Sequence, residues 1–190
     1  MSEVLKAYPG KVSVEFWHNP LDFHNMALPA AKASVAAQLQ GRFWEMHDLI
    51  FRNQKSLSPE RLLALATQLG LDIDRLKWDM ADPRVEEFIS QNVAAAIAMG
   101  LRGTPMFIIN GKVLKGAQPP AKFKELIDAE LIKAEAALAD GTPREDLARV
   151  LAELNGADAK YIRFFINKDF APVSDQQPEK KKRKIQKNNR

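Results

Sequence analysis

Residues 100–112 read GLRGTPMFIINGK, and residues 112–116 continue as KVLKG. Four apolar residues, an Asn-Gly pair and a second short run with apolar residues form the strongest short-range signal for a β-hairpin. The spacing predicts strands over Met106 to Asn110 and from Lys112 onward, closed by Asn110-Gly111. Pro105 has a fixed φ and no N–H, which suits the start of a strand better than its middle. Thr104-Pro105 therefore reads as a bend that starts the strand.

Upstream of the loop the pattern is helical. Ser58-Pro59-Glu60, Asp72 and Asp82-Pro83 are three helix starts, each with an oxygen-bearing side chain before the first turn and two with proline at the first helical position. Gly70 and Gly100 stand where helices end in a left-handed residue. An alanine-rich helix is expected from about Asn25 to Leu39. GRFWEMHDLIF follows, with Phe43, Met46, Ile50 and Phe51 on one apolar face. KVSVEFW, residues 11–17, alternates β-branched or aromatic residues with polar ones and reads as a strand after the Pro9-Gly10 turn. Downstream, Pro119-Pro120 leads into a helix through Ala139 that carries Phe123, Ile127, Leu131 and Leu138. Asp140-Gly141-Thr142-Pro143 turns the chain into REDLARVLAEL, a further helix, and KYIRFFI docks as a strand or a last helical turn.

The chain has 190 residues, is 46% hydrophobic and 27% charged, and contains no cysteine. That composition fits a soluble domain with a real core. The absence of cysteine excludes disulfides, thiolate metal sites and thiol nucleophiles within these residues. Residues 179–190 carry seven basic side chains and one acidic one, so the net charge of +4 divides into +6 for this tail and −2 for the other 178 residues. No apolar run approaches a membrane span, and the N-terminus lacks the apolar core of a signal peptide. As written, the chain is expected in the cytoplasm, or in the periplasm as an exported protein if the sequence continues upstream.

The blocks NPLDFHNMALPAAKAS, QGRFWEMHDLIFRNQ, LGLDIDRLKWDM and GLRGTPMFIINGK…GAQPPAKFKELID run in the order seen in the DsbA-like branch of the thioredoxin superfamily, and the chain resembles that family from about Tyr8 to Leu131. The resemblance implies an α/β, helix-rich, thioredoxin-like fold of DsbA type with a helical insertion. It also implies a cis bond before Pro105 and a substrate-facing loop at Gly103, Thr104 and Pro105, where an extended peptide pairs beside a Cys-x-x-Cys dithiol. In the family a first strand and that dithiol precede the region resembling LKAYPGKVSVEF. Here Met1 falls part-way along the dithiol's helix, so the first strand and both cysteines are missing. The missing strand would lie between the strand at Val12–Trp17 and the one at Met106–Asn110. A four-stranded thioredoxin sheet is therefore not expected, and the alternatives are a fragment, a rearranged sheet or a strand supplied by another chain. The expected divisions are 1–139 for the thioredoxin-like domain, 140–170 for a helical appendage and 171–190 for a disordered basic tail.

The resemblance implies a thiol–disulfide oxidoreductase family, with redox chemistry lost from this sequence. One alternative is a non-catalytic peptide- or partner-binding module using the Thr104-Pro105 groove. The other is an interaction protein acting through its tail. No catalytic residue, metal or cofactor is expected. The expected partners are an extended peptide or protein substrate, a second copy, or a strand donor. The tail has no interleaved aromatic residues for base stacking, so specific nucleic-acid reading is not expected. His18, His24 and His47 lack metal-ligand spacing and read as hydrogen-bonded structural histidines at helix ends. Trp17, Phe43, Trp44 and Phe51 read as packing between helices and sheet. Deleting residues 171–190 is expected to leave partner binding by the body intact in a pull-down. Loss of binding on deletion would assign the function to the tail instead.

Overall fold

The computed structural model describes residues 2–167; the expected basic tail lies outside them. Its elements, in chain order, are α1 (Ser2–Ala7), α2 (Ala27–Gln38), α3 (Phe43–Arg52), α4 (Pro59–Gln68), α5 (Ile73–Ala81), α6 (Pro83–Ala98), β1 (Met106–Ile109), β2 (Lys112–Lys115), α7 (Pro120–Ala139), α8 (Leu147–Leu154) and α9 (Ala159–Tyr161), which runs on as a π-helical turn over Ile162–Ile166.

The helix starts form through the caps the sequence announces. Ser58 Oγ accepts from the Arg61 N–H at 3.1 Å, Asp72 from Arg75 at 2.9 Å and Asp82 from Arg84 at 2.9 Å. Each satisfies one of the donors a first turn leaves open and contributes about 1 kcal/mol. Helix α2 is the centre of the helical block. Ala33, Ala36 and Ala37 pack without residual exposure against Met46 of α3, Leu62 and Leu65 of α4 and Leu76 of α5. Its other side, through Ala31 and Val35, meets Val85 and Ile89 of α6. A helix buried on two sides needs small residues to let its neighbours approach, which is why α2 is alanine-rich rather than amphipathic.

A second apolar cluster holds the hairpin. Phe123 and Ile127 of α7 pack against Val4 and Tyr8 from the N-terminal segment, with Val12, Phe107, Ile109, Leu114 and Leu131 around them. Tyr8 donates its hydroxyl to Asp128 at 2.6 Å and so ties α1 to α7. The two strands pair antiparallel, Met106 with Lys115 through Ile109 with Lys112. Asn110 (φ 45°) and Gly111 (φ 87°) both take positive φ, the two-residue turn that matches strand twist.

Residues 12–17 correct the sequence reading. They form no strand, and among the described residues the sheet has two strands, β1 and β2. The alternating pattern is present: Val12 and Val14 are half-buried, while Ser13 and Glu15 are exposed. What is lacking is a neighbouring backbone, because a strand is defined by its pairing and not by its pattern. Among the described residues there is no four-stranded sheet. KYIRFFI resolves as helix and π-helical turn rather than strand.

The turn, α7 and α8 meet at one buried carboxylate. Glu130, 3% exposed, accepts from Asn155 at 2.8 Å and Asn110 at 3.2 Å, and its other oxygen lies 3.0 Å from Lys112 and 3.1 Å from Lys133. Lys133 also reaches Asn155, whose amide donates to the Asn110 carbonyl at 2.9 Å. Desolvation pushes the Glu130 carboxyl up, but these four partners outweigh it and hold its pKa below the usual glutamate range. The stability it contributes is in place above pH 4.5 and is lost as pH falls through the lower folded value. Glu130→Ala is expected to cost about 2–3 kcal/mol in urea unfolding, the range for hydrogen bonds to a buried charge. It should also flatten the acid end of the stability profile. An unchanged midpoint would show that the cluster does not hold the hairpin to α7 and α8.

Candidate functional site

Helix α6 ends at Gly100 (φ 67°), and the N–H of Leu101 returns to the Ala96 carbonyl at 2.9 Å. This closure satisfies the helix's last carbonyls and buries Leu101, which anchors the loop that follows. Arg102, Gly103, Thr104 and Pro105 are all exposed. Gly103 has φ 85°, open to glycine and strained for other residues, and the Thr104-Pro105 bond is cis, as the resemblance implies. The three residues singled out in the sequence thus lie together, on the surface, at the head of β1.

The ladder shows which way their backbone faces. The Gly116 N–H donates to the Pro105 carbonyl at 2.9 Å, so Pro105 and Gly116 are a hydrogen-bonded pair. In an antiparallel ladder such pairs alternate. In this register Phe107–Leu114 and Ile109–Lys112 are the next two, so the backbone groups of Met106 and Ile108 point away from β2. Asn110 faces the same free edge, where its carbonyl is taken by Asn155. Thr104 continues the edge in the other direction. All four residues of β1 are half-buried. Phe107 and Ile109 turn toward α7, and Met106 and Ile108 occupy the opposite face. The edge is therefore a row of backbone donors and acceptors between two apolar faces. The sequence places the missing strand beside Met106–Asn110, but which residues face that side is visible only once the register is known.

A second surface gathers aromatic rings around His47 of α3. Its ring lies 4.9 Å from Phe16, 5.4 Å from Trp44, 4.6 Å from Phe51 and 5.9 Å from Phe43. Trp44 is 44% exposed and Phe51 51%. This corrects the expectation that these rings fill an interface between helices and sheet. Helix α3 buries Met46 and Ile50 instead and leaves the adjoining aromatic face to solvent. Trp17 does pack, 4.2 Å from Phe165.

The three histidines differ. His24 is exposed beside the start of α2, and His47 bonds Asp48 at 3.0 Å in the middle of α3, away from a helix end. His18 is 4% exposed among Phe16, Phe43 and Phe88, and its backbone N–H donates to Asn92 of α6 at 3.0 Å. Burial, with a smaller contribution from His47, lowers its pKa from 6.5 to about 4. Among the described residues no three His, Asp or Glu side chains converge into a metal-holding group.

A model of the DSBA-like thioredoxin domain matches residues 2–128, two thirds of the chain. The chain belongs to that family. The DSBA-like match supports a thiol–disulfide oxidoreductase-like family and a thioredoxin-like fold, here helix-rich with a two-stranded sheet. Among curated proteins it is similar to the Na(+)/H(+) antiporter NhaA 3 of Salinispora tropica, 47% identical over 96 residues, which is 50% of this chain and 15% of that protein. It is similar to the Na(+)/H(+) antiporter NhaA of Herminiimonas arsenicoxydans, 37% identical over 100 residues, 53% of this chain and 16% of that one. With the Na(+)/H(+) antiporter NhaA 1 of Mycolicibacterium gilvum it shares 34% identity over 129 residues, 66% of this chain and 21% of that one. The match thus spans about one sixth to one fifth of the length of these relatives. No solved structure matches. Among the described residues no helix is long and apolar enough to cross a membrane.

His18 gives the DSBA-like domain a pH dependence with a definite sign. The fold holds the ring neutral, so its contribution is complete above pH 6.5 and falls as pH drops from 6.5 toward 4, when the unfolded chain takes the proton first. The full difference amounts to roughly 3 kcal/mol. Proton NMR should find His18 titrating well below pH 6.5, and His18→Gln should flatten the stability profile across this window. A His18 titrating near pH 6.5 would overturn the assignment.

Proposed function

We propose that this domain binds an extended peptide along the free edge of β1, with Gly103, Thr104 and Pro105 at the head of the groove. It does so as a DsbA-like module that performs no dithiol exchange of its own. One observation carries the reading: the backbone of Met106 and Ile108 faces away from β2, with apolar side chains on both faces of the strand. An added strand satisfies such an edge through main-chain hydrogen bonds, and alternate side chains supply selectivity. A partner of this kind is extended and apolar on alternate residues.

The redox half of the family's chemistry needs a thiolate. These 190 residues contain no cysteine, so a disulfide substrate offered to the chain alone is bound and not exchanged. Sodium–proton exchange, the activity in the relatives' names, is not carried over, because the chain matches only 15–21% of those proteins. We read the matched part as a DsbA-like segment within longer antiporter chains.

The test titrates extended, cysteine-free peptides with alternating apolar residues against the full chain, following tryptophan fluorescence. Binding is expected with Kd of roughly 1 µM to 1 mM, the range of a short strand addition with few anchors. Methylating alternate peptide nitrogens should abolish it. Met106→Pro should do the same while the hairpin persists, because the N–H it removes faces the free edge. Equal binding of the methylated peptide would reduce the interaction to hydrophobic adsorption and refute strand addition.

A further inference from the structure

The Asn110-Gly111 turn contains the reactants of a covalent change. A glycine after an asparagine has no Cβ to shield its backbone nitrogen. That nitrogen can attack the asparagine Cγ: the N–Cγ bond forms, the Cγ–Nδ2 bond breaks, and Nδ2 leaves as ammonia with the proton from the glycine nitrogen. Water then opens the resulting succinimide at either carbonyl, to aspartate or to isoaspartate. The sum is asparagine plus water giving an acidic residue plus ammonia, with no change of oxidation state.

Here both reacting ends are held. The Asn110 Nδ2 donates to Glu130 at 3.2 Å, and its carbonyl accepts from Asn155 at 2.9 Å. The buried Tyr161 hydroxyl stands beside the Gly111 backbone. The turn is also wedged under the α8–α9 connection: a Cβ built on Gly111 would lie 2.6 Å from Ala157 Cβ. Ring closure needs Asn110 to leave Glu130 and swing toward the Gly111 nitrogen, which Ala157 and the Tyr161 hydroxyl crowd. That movement requires α8 and α9 to lift from the turn.

We propose that Asn110 is a deamidation site kept shut by the α8–α9 arm, whose conversion releases that arm from the hairpin irreversibly. The product carries a carboxylate where an amide donated to Glu130, so an attraction becomes a repulsion between like charges. Isoaspartate in addition lengthens the backbone of a two-residue turn whose register depends on its length.

The experiment incubates the full chain at neutral pH and follows the tryptic peptide 103–112 by mass spectrometry, scoring the deamidation mass gain and isoaspartate. A free peptide of the same sequence is the reference. The folded chain is expected to react at least about tenfold more slowly, the factor set by one charge-assisted hydrogen bond. Tyr161→Phe and Glu130→Ala should each recover much of that factor. Tyr8→Phe, which loosens α1 from α7 without touching the turn, should not. Tyr161→Phe removes one hydroxyl and serves if Glu130→Ala does not fold. The proposal is overturned if the folded chain reacts as fast as the peptide. It is equally overturned if folded Tyr161→Phe stays as slow as the parent, or if Tyr8→Phe accelerates the reaction as much.

Discussion

A buried backbone N–H or carbonyl needs a partner, and among the described residues β1 finds a backbone partner on the edge facing β2 and none on the other. Much follows from that asymmetry. Among the described residues the sheet has two strands, and residues 12–17 are not part of it. Desolvating an unpaired amide costs about as much as a hydrogen bond contributes, so an open edge between apolar faces favours any extended chain that can reach it. The groove is thus a property of main-chain geometry before any side chain is considered. The exposed Gly103-Thr104-Pro105 loop extends the edge without capping it.

The hairpin can persist as two strands because it is fixed from below. A two-stranded ribbon is marginal by itself. Here its inner face rests on Phe123 and Ile127, and its turn is gripped by Glu130 and Asn155. A lone carboxylate buried to this degree would be expensive, and it is tolerated because two lysines and two amides surround it. Lys112 and Lys133 are themselves partly exposed, so water shares their solvation while the carboxylate stays dry.

Features decided within one turn of chain were legible in the sequence. Ser58, Asp72 and Asp82 cap because a short polar side chain meets an N–H two or three residues away, and Asn110-Gly111 turns because both residues tolerate positive φ. Pro105, with the loop before it, was legible through the family's motif. Features decided by distant partners were not. Val12 to Trp17 has a strand's alternation, yet among the described residues it is not part of the sheet. Trp44 and Phe51 show that α3 has an aromatic face, but the pattern does not say whether anything covers it. Glu130 reads as one more charge on a long helix, and its burial depends on Asn155, 25 residues away.

The apolar interior is divided. One mass lies among α2 to α6 and another between the hairpin, α1 and α7, each with its own buried residues. Between them run narrow ties: the His18 N–H on Asn92, the Trp17 ring on Phe165 and the Lys160 ammonium on the Ala98 carbonyl. The smaller mass carries the open edge, so a chain added there would be held by the hairpin and α7 and not by the helical block.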